Sequence, residues 1–196
     1  MGSREEILSA LRRAAPPDPG RPEGKVQPMR WPDPAGKLAE AVALVGGKLV
    51  RVSGPGALAA ESAALARSLE ARRVLSAVPA AGPGDVRLDD LADPHQLEGV
   101  DLAILPGAFA VAETGAVWVS GAGLRHRGAF VVAQHLALVV PAGEIVNDMH
   151  EAYARVAFPG AGFGLFISGP SKTADIEQAL VIGAHGARSC TVFLVG

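Results

Sequence analysis

Residues 48–78, KLVRVSGPGALAAESAALARSLEARRVLSAV, decide the fold class. KLVRVS (48–53) reads as a strand, GPG (54–56) as a tight turn, residues 57–72 as an Ala-rich helix and RVLSAV (73–78) as a second strand. That order implies a parallel pair joined by a right-handed crossover. Parallel sheets are covered on both faces, so their strands are continuous apolar runs. The chain supplies more of them in DLAILP (101–106), HLALVV (135–140), GFGLFISG (162–169) and CTVFLV (190–195). FAVAETGAVWVSG (109–121) adds strand-like stretches on either side of Glu113, Thr114 and Gly115. Helices are expected in between. Leu38, Ala41, Val42 and Val45 form an apolar stripe stopped by Gly46 and Gly47. GEIVNDMHEAYARVA (143–157) puts Ile145, Met149 and Tyr153 or Ala152 on one face, and ADIEQALVI (174–182) follows a PSKT loop. Strands alternating with helices give an α/β domain, a mostly parallel sheet with helices on both faces.

Ahead of this pattern, residues 3–15 spell a short amphipathic helix, with Ser3 and Glu6 at capping-box spacing and Ile7, Leu8 and Leu11 on one face. Residues 16–34 hold seven of the 15 prolines and read as an extended arm. The expected organisation is therefore a helix and Pro-rich arm over 1–34 and one α/β domain over 35–196.

Composition narrows the function. The chain has 196 residues, 49% hydrophobic and 19% charged, with a net charge of -2, enough for one well-cored domain. Without a surplus of Lys and Arg, neither nucleic acid nor an anionic membrane surface is an expected partner. The single cysteine, Cys190, leaves no disulfide framework, no Cys-only zinc site and no self-contained iron–sulfur cluster. The start, MGSREEILSA, carries two glutamates where a secretory signal has an apolar run, and no stretch is long and apolar enough to span a bilayer. A reducing cytoplasm is the expected compartment.

The densest local signal is LFISGPSKTADIEQALVIGAHGARS (165–189). In open α/β sheets a strand–loop–helix turn aims free backbone N–H groups at a ligand. Gly169 permits close approach, Ser171 and Thr173 offer hydroxyls, and Lys172, one of only four lysines, brings a positive charge that suits an anion. Thr173 fits the N-cap of the helix expected from Ala174, with Asp175 and Glu177 in its first turn. The simpler reading is that these residues only cap that helix. The turn is not a P-loop, because its glycines precede the strand. Glu113 lies among apolar neighbours, as a hairpin turn or as a partly buried carboxylate suited to acid/base work. His185 sits in a second Gly-rich loop that could face the first. No metal site is indicated, and Cys190 reads as a small core residue.

The run ISGPSKTADIEQALVIGAHGARSCTVFLV, with AETG at 112–115, resembles the lactate-utilisation (LUD) domain, in particular its short, cluster-free lactate-utilisation protein C family, over roughly residues 40–196. The chain departs from that pattern at GAFVVAQH (128–135). The resemblance implies the fold of sugar-phosphate isomerases and CoA transferases, and a part in oxidising L-lactate to pyruvate beside partner proteins that carry the iron–sulfur clusters, this chain binding no cofactor itself. It carries Glu113 and His185 over as candidate catalytic groups. Thr114, Ser168, Gly169, Ser171, Lys172, Thr173, Asp175, Glu177 and Gly186 become candidate binding residues for a small anionic ligand. The alternative is a stand-alone transferase, ligase or isomerase of a phosphorylated or CoA-linked substrate.

Overall fold

The structure is a computed structural model that describes residues 2–16, 20, 27–156, 162–176 and 179–196, without the side chains of residues 175 and 176. In chain order its elements are α1 (Ser3–Ala14), α2 (Pro34–Leu44), β1 (Lys48–Val52), α3 (Pro55–Ser68), β2 (Val74–Ser76), β3 (Leu102–Pro106), β4 (Phe109–Val111), β5 (Ala116–Ser120), α4 (Ala129–Val132), β6 (His135–Pro141), β7 (Ile145–Val146), α5 (Met149–Arg155), β8 (Gly164–Ile167), β9 (Lys172–Ile176), β10 (Ala179–Ile182) and β11 (Ser189–Val195). Glu177 lies outside the described residues, as do residues 17–19 and 21–26 of the expected arm.

The central sheet runs β1-β11-β6-β3-β2, and every neighbouring pair in it is parallel. The α/β reading therefore holds. The strands read from the 48–78 stretch are parallel as expected, yet they form opposite edges of the sheet. The three more apolar strands, β3, β6 and β11, insert between them and are buried on both faces.

On one face Val52, Leu102, Ile104, Ala137 and Phe193 pack under Leu58 of α3. On the other, Ala103, Leu105, Leu136, Leu138 and Val192 meet Leu38 and Val42 of α2 together with Ala110, Ala112, Val117 and Val119. Ala110, Val117 and Val119 belong to a second sheet, β7-β4-β5-β8, and Ala112 to its β4–β5 turn; this sheet takes the place of further helices on that face. Its far side carries an aromatic cluster, with Trp118 and Phe166 at 4.7 Å between ring centroids, beside Ala152 of α5.

Two expected helices come out differently. In 143–157, Ile145 and Val146 pair in parallel with Ala110 and Val111 of β4. The helix begins only at Met149, where the Asp148 side chain accepts from the Glu151 N–H at 2.8 Å and acts as N-cap. ADIEQALVI is no helix. Its described residues lie in β9 and β10, which pair antiparallel, and the Gly183 N–H beyond β10 donates to the Ser171 carbonyl before β9 at 3.0 Å. The apolar run there is too short for periodicity to separate strand from helix, and its β-branched residues suit a strand. At the N-terminus the cap of α1 is Gly2, whose N–H donates to Glu5 at 2.9 Å, rather than Ser3 with Glu6. α1 buries none of its residues.

Candidate functional site

The AETG element is the tip of the β4–β5 hairpin. Gly115 turns the chain at φ +68°, and a Cβ there would stand 2.8 Å from the backbone of Ala41 and Val42, so α2 lies directly on the tip. Glu113 accepts the Met149 N–H at 3.0 Å, adding a second carboxylate to the start of α5. The Thr114 hydroxyl lies 3.9 Å from the Met149 sulfur. The Thr114 carbonyl accepts from the Ser168 hydroxyl at 2.8 Å, which binds the tip to the turn after β8.

That turn is fixed just as closely. Gly169 adopts φ +73°, and a Cβ would fall 2.5 Å from the Val45 carbonyl oxygen. The Lys172 ammonium donates to the same Val45 carbonyl, at the C-terminal end of α2. Lys172 thus sits at the negative end of one helix, where cations are favoured, and not at the positive mouth of another. The Thr173 N-cap and the helix-mouth anion site expected around Ser171, Lys172 and Thr173 fall with the missing helix. Thr173 Oγ1 instead stands 3.3 Å from His185 Nδ1. The Ser171 N–H donates to the Ala187 carbonyl at 2.8 Å, and a Cβ on Gly186 would meet the Ser171 Cβ at 3.1 Å.

The structure therefore gathers Thr114, Ser168, Gly169, Ser171, Lys172, Thr173, His185 and Gly186 into one corner. Glu113 turns away to α5, Asp175 lies in β9 with its side chain outside the description, and Glu177 is outside the described residues. Beside the corner, Ser171, His185 and Gly186 share a pocket of about 200 Å³ with Phe130, Val131 and Phe166. Leu136 and Ala187 also line it, so it opens at the amino ends of β6 and β11, not beyond the carboxyl ends. The hydroxyl of Ser171 makes no hydrogen bond with any described residue.

The LUD domain family model matches residues 69–195. The chain belongs to the LUD domain family. Lactate utilization protein C of Deinococcus radiodurans is 35% identical over 145 residues, 68% of each chain. The protein of that name from Shouchella clausii is 33% identical over 98 residues, 47% of this chain and 42% of the relative. Lactate utilization protein C 1 of Bacillus mycoides is 34% identical over 95 residues, 45% of this chain and 41% of the relative. Against these last two the match spans under half of the relative's length. A crystal structure of a DUF162 family protein from Deinococcus radiodurans has the same fold, with a TM-score of 0.59 at 21% identity over 83% of this chain and 96% of that one.

Sequence reasoning missed two polar clusters of this LUD domain. Asp148, 2% exposed, accepts from the Met29 N–H at 3.1 Å as well as from Glu151, and these backbone donors hold its carboxyl below the usual range. Asn147 accepts from the Trp31 N–H at 2.9 Å, and Arg30 pairs with Glu151, so residues 29–31 are fastened onto the start of α5. The Asp-x-x-Glu spacing before an apolar helix was the available signal. The second cluster is His135 Nδ1 with Ser189 Oγ, 2.7 Å apart across β6 and β11. Burial, helped by Arg188, pushes the His135 pKa below its ordinary value, against the pull of Asp101.

Proposed function

We propose that this chain is an accessory component of L-lactate oxidation to pyruvate in the cytoplasm, working beside iron–sulfur proteins that accept the electrons, and that the pocket at Ser171 and His185 holds a small anionic ligand. The likeness to lactate utilization protein C over 68% of both chains supports the lactate part. Its own residues do not fit a cluster. Cys190 is the single cysteine, it is 3% exposed within β11, and burial pushes its thiol up to about 11, which opposes the thiolate that iron ligation needs. The two electrons and two protons released from each lactate then have to leave through a partner.

The observation that carries the ligand reading is the unbonded Ser171 hydroxyl beside the His185 ring in a pocket of small-molecule size. Hydroxyl O–H and imidazole N–H groups are both donors to an anion. Reconstitution tests the proposal: this protein is combined with the cysteine-rich proteins encoded beside its gene, and lactate-dependent reduction of an electron acceptor is measured. Turnover should require this chain and fall about tenfold with Ser171→Ala or His185→Ala, the size of one lost charge-assisted contact. Equal turnover with and without the chain rejects the accessory role; full activity in both variants rejects the pocket.

A further inference from the structure

On the opposite face of the central sheet from that pocket, β1 and β11 pair in parallel with Lys48 opposite Thr191 and Val50 opposite Phe193. Paired residues of a parallel ladder share a face, so these four side chains form one patch. α3 crosses it with Glu61, Leu65 and Ser68, spaced i, i+4 and i+7 along one helix stripe. Between strand and helix lies a groove of about 200 Å³ lined by these residues. Val50, Leu65 and Phe193 give it an apolar floor.

The charged groups around that floor, Lys48 and Glu61, are exposed to solvent. Thr191 is only 5% exposed, and its hydroxyl meets no hydrogen-bonding partner among the described residues. Lys48 and Glu61 take part in no ion pair there. Ser68 is spent, its hydroxyl donating to the Leu65 carbonyl at 2.8 Å. The Thr191 hydroxyl is not sealed from water: the buried side-chain atoms without a partner among the described residues are Trp31 Nε1 and Ser62 Oγ, so a ligand group that bonds it has to replace water there.

We propose that this groove binds a small hydroxy- or amino-carboxylic acid. The ligand carboxylate accepts from the Lys48 ammonium and the Thr191 hydroxyl, its own hydroxyl or ammonium donates to the Glu61 carboxylate, and its carbon skeleton lies on Val50 and Phe193. A plain carboxylate leaves Glu61 facing a second negative charge, and a plain amine meets Lys48. Only a ligand carrying both functions answers all three groups. The site shares no residue with the Ser171 pocket, so it stands or falls apart from the role proposed above.

Nitrogen-15 spectra of the full chain, titrated with L-lactate, L-alanine and propionate to about 50 mM, test it across the millimolar affinities expected of so small a ligand. L-lactate or L-alanine should shift the amides of Lys48, Glu61 and Thr191 saturably, and which of the two does so identifies the donor that Glu61 accepts. Propionate should bind about 3-fold or more weakly than the better of them, and Glu61→Ala should abolish that difference. Lys48→Ala should weaken binding about 10-fold or more. Thr191→Val should also weaken it while leaving the melting temperature equal or higher, because Val keeps the shape and suits a strand. Absence of saturable shifts with both acids, unchanged affinity in Lys48→Ala, or propionate binding as tightly as the better of the two acids overturns the proposal.

Discussion

At the corner formed by the AETG tip, the turn after β8 and the loop before β11, nearly every polar group is already bonded. Ser168 holds the Thr114 carbonyl, Lys172 holds the Val45 carbonyl, Thr173 meets His185, and the Ser171 backbone bonds Ala187 and Gly183. In the groove between β1 and α3, Lys48, Glu61 and Thr191 have no such partners among the described residues. One region uses its polar groups to fasten four chain segments together; the other holds them open. A dense motif therefore marks where this chain must be tied. At the corner, only the Ser171 hydroxyl and the His185 ring beside it remain for a ligand.

The largest effect should come from adding a single methyl group at the corner. Gly169→Ala places a Cβ 2.5 Å from the Val45 carbonyl oxygen at a positive φ, and Gly115→Ala one 2.8 Å from the α2 backbone. Each should cost about 2–4 kcal/mol in urea unfolding, the sum of a strained backbone and a forced shift of α2. Gly56→Ala, in α3 with open space around it, should be neutral or slightly stabilising. Losses below about 1 kcal/mol at both tight glycines would mean that the corner yields, and that its polar bonds do not define it.

The two lysines sharpen the contrast on a smaller scale. Lys172→Ala removes a donor from the C-terminal end of α2 and should cost about 0.5–1 kcal/mol. Lys48→Ala removes an exposed, unpaired charge and should change stability by less than about 0.5 kcal/mol. The reverse order, or a Lys172→Ala protein of full stability that has lost a ligand, would restore Lys172 as a binding residue and break the distinction.

Much of the scaffold was legible because it rests on local pattern. β3, β6 and β11 are long apolar runs, and α2 ends at paired glycines, so the parallel sheet and its first helix follow from the sequence. The order of strands is not local. Nothing within residues 48–78 says that three later strands will separate β1 from β2. The β9–β10 hairpin was illegible for another reason: a run as short as ALVI fits a helix face or a strand equally well, and its partner had to be known first. The corner was legible as a family motif but not as a mechanism, since what Lys172 and Ser168 touch, Val45 and Thr114, lies far away in sequence. The groove gave no signal at all. Lys48, Glu61 and Thr191 are ordinary residues until a helix stripe is laid across two parallel strands.

The smallest expected effect tests where tying stops. His135 and Ser189 bond to each other at the amino ends of β6 and β11, and Ser189 stands two residues before Thr191 on the same face of the sheet. Burial is the first cause of the lowered His135 pKa, the Arg188 charge the second, and Asp101 opposes both. As pH falls through the ordinary histidine value of 6.5, unfolded chains bind a proton that folded His135 resists, so stability should decline with falling pH and level off below the folded value. His135→Gln removes that proton while leaving a side chain able to bond Ser189. Its unfolding free energy between about pH 7 and pH 5 should fall less steeply than that of the parent. A steeper fall in the variant would reverse the sign, showing that Asp101 dominates and that the folded state holds the imidazolium. Equal slopes would mean that the ring is solvated and that the open groove continues to the end of the sheet.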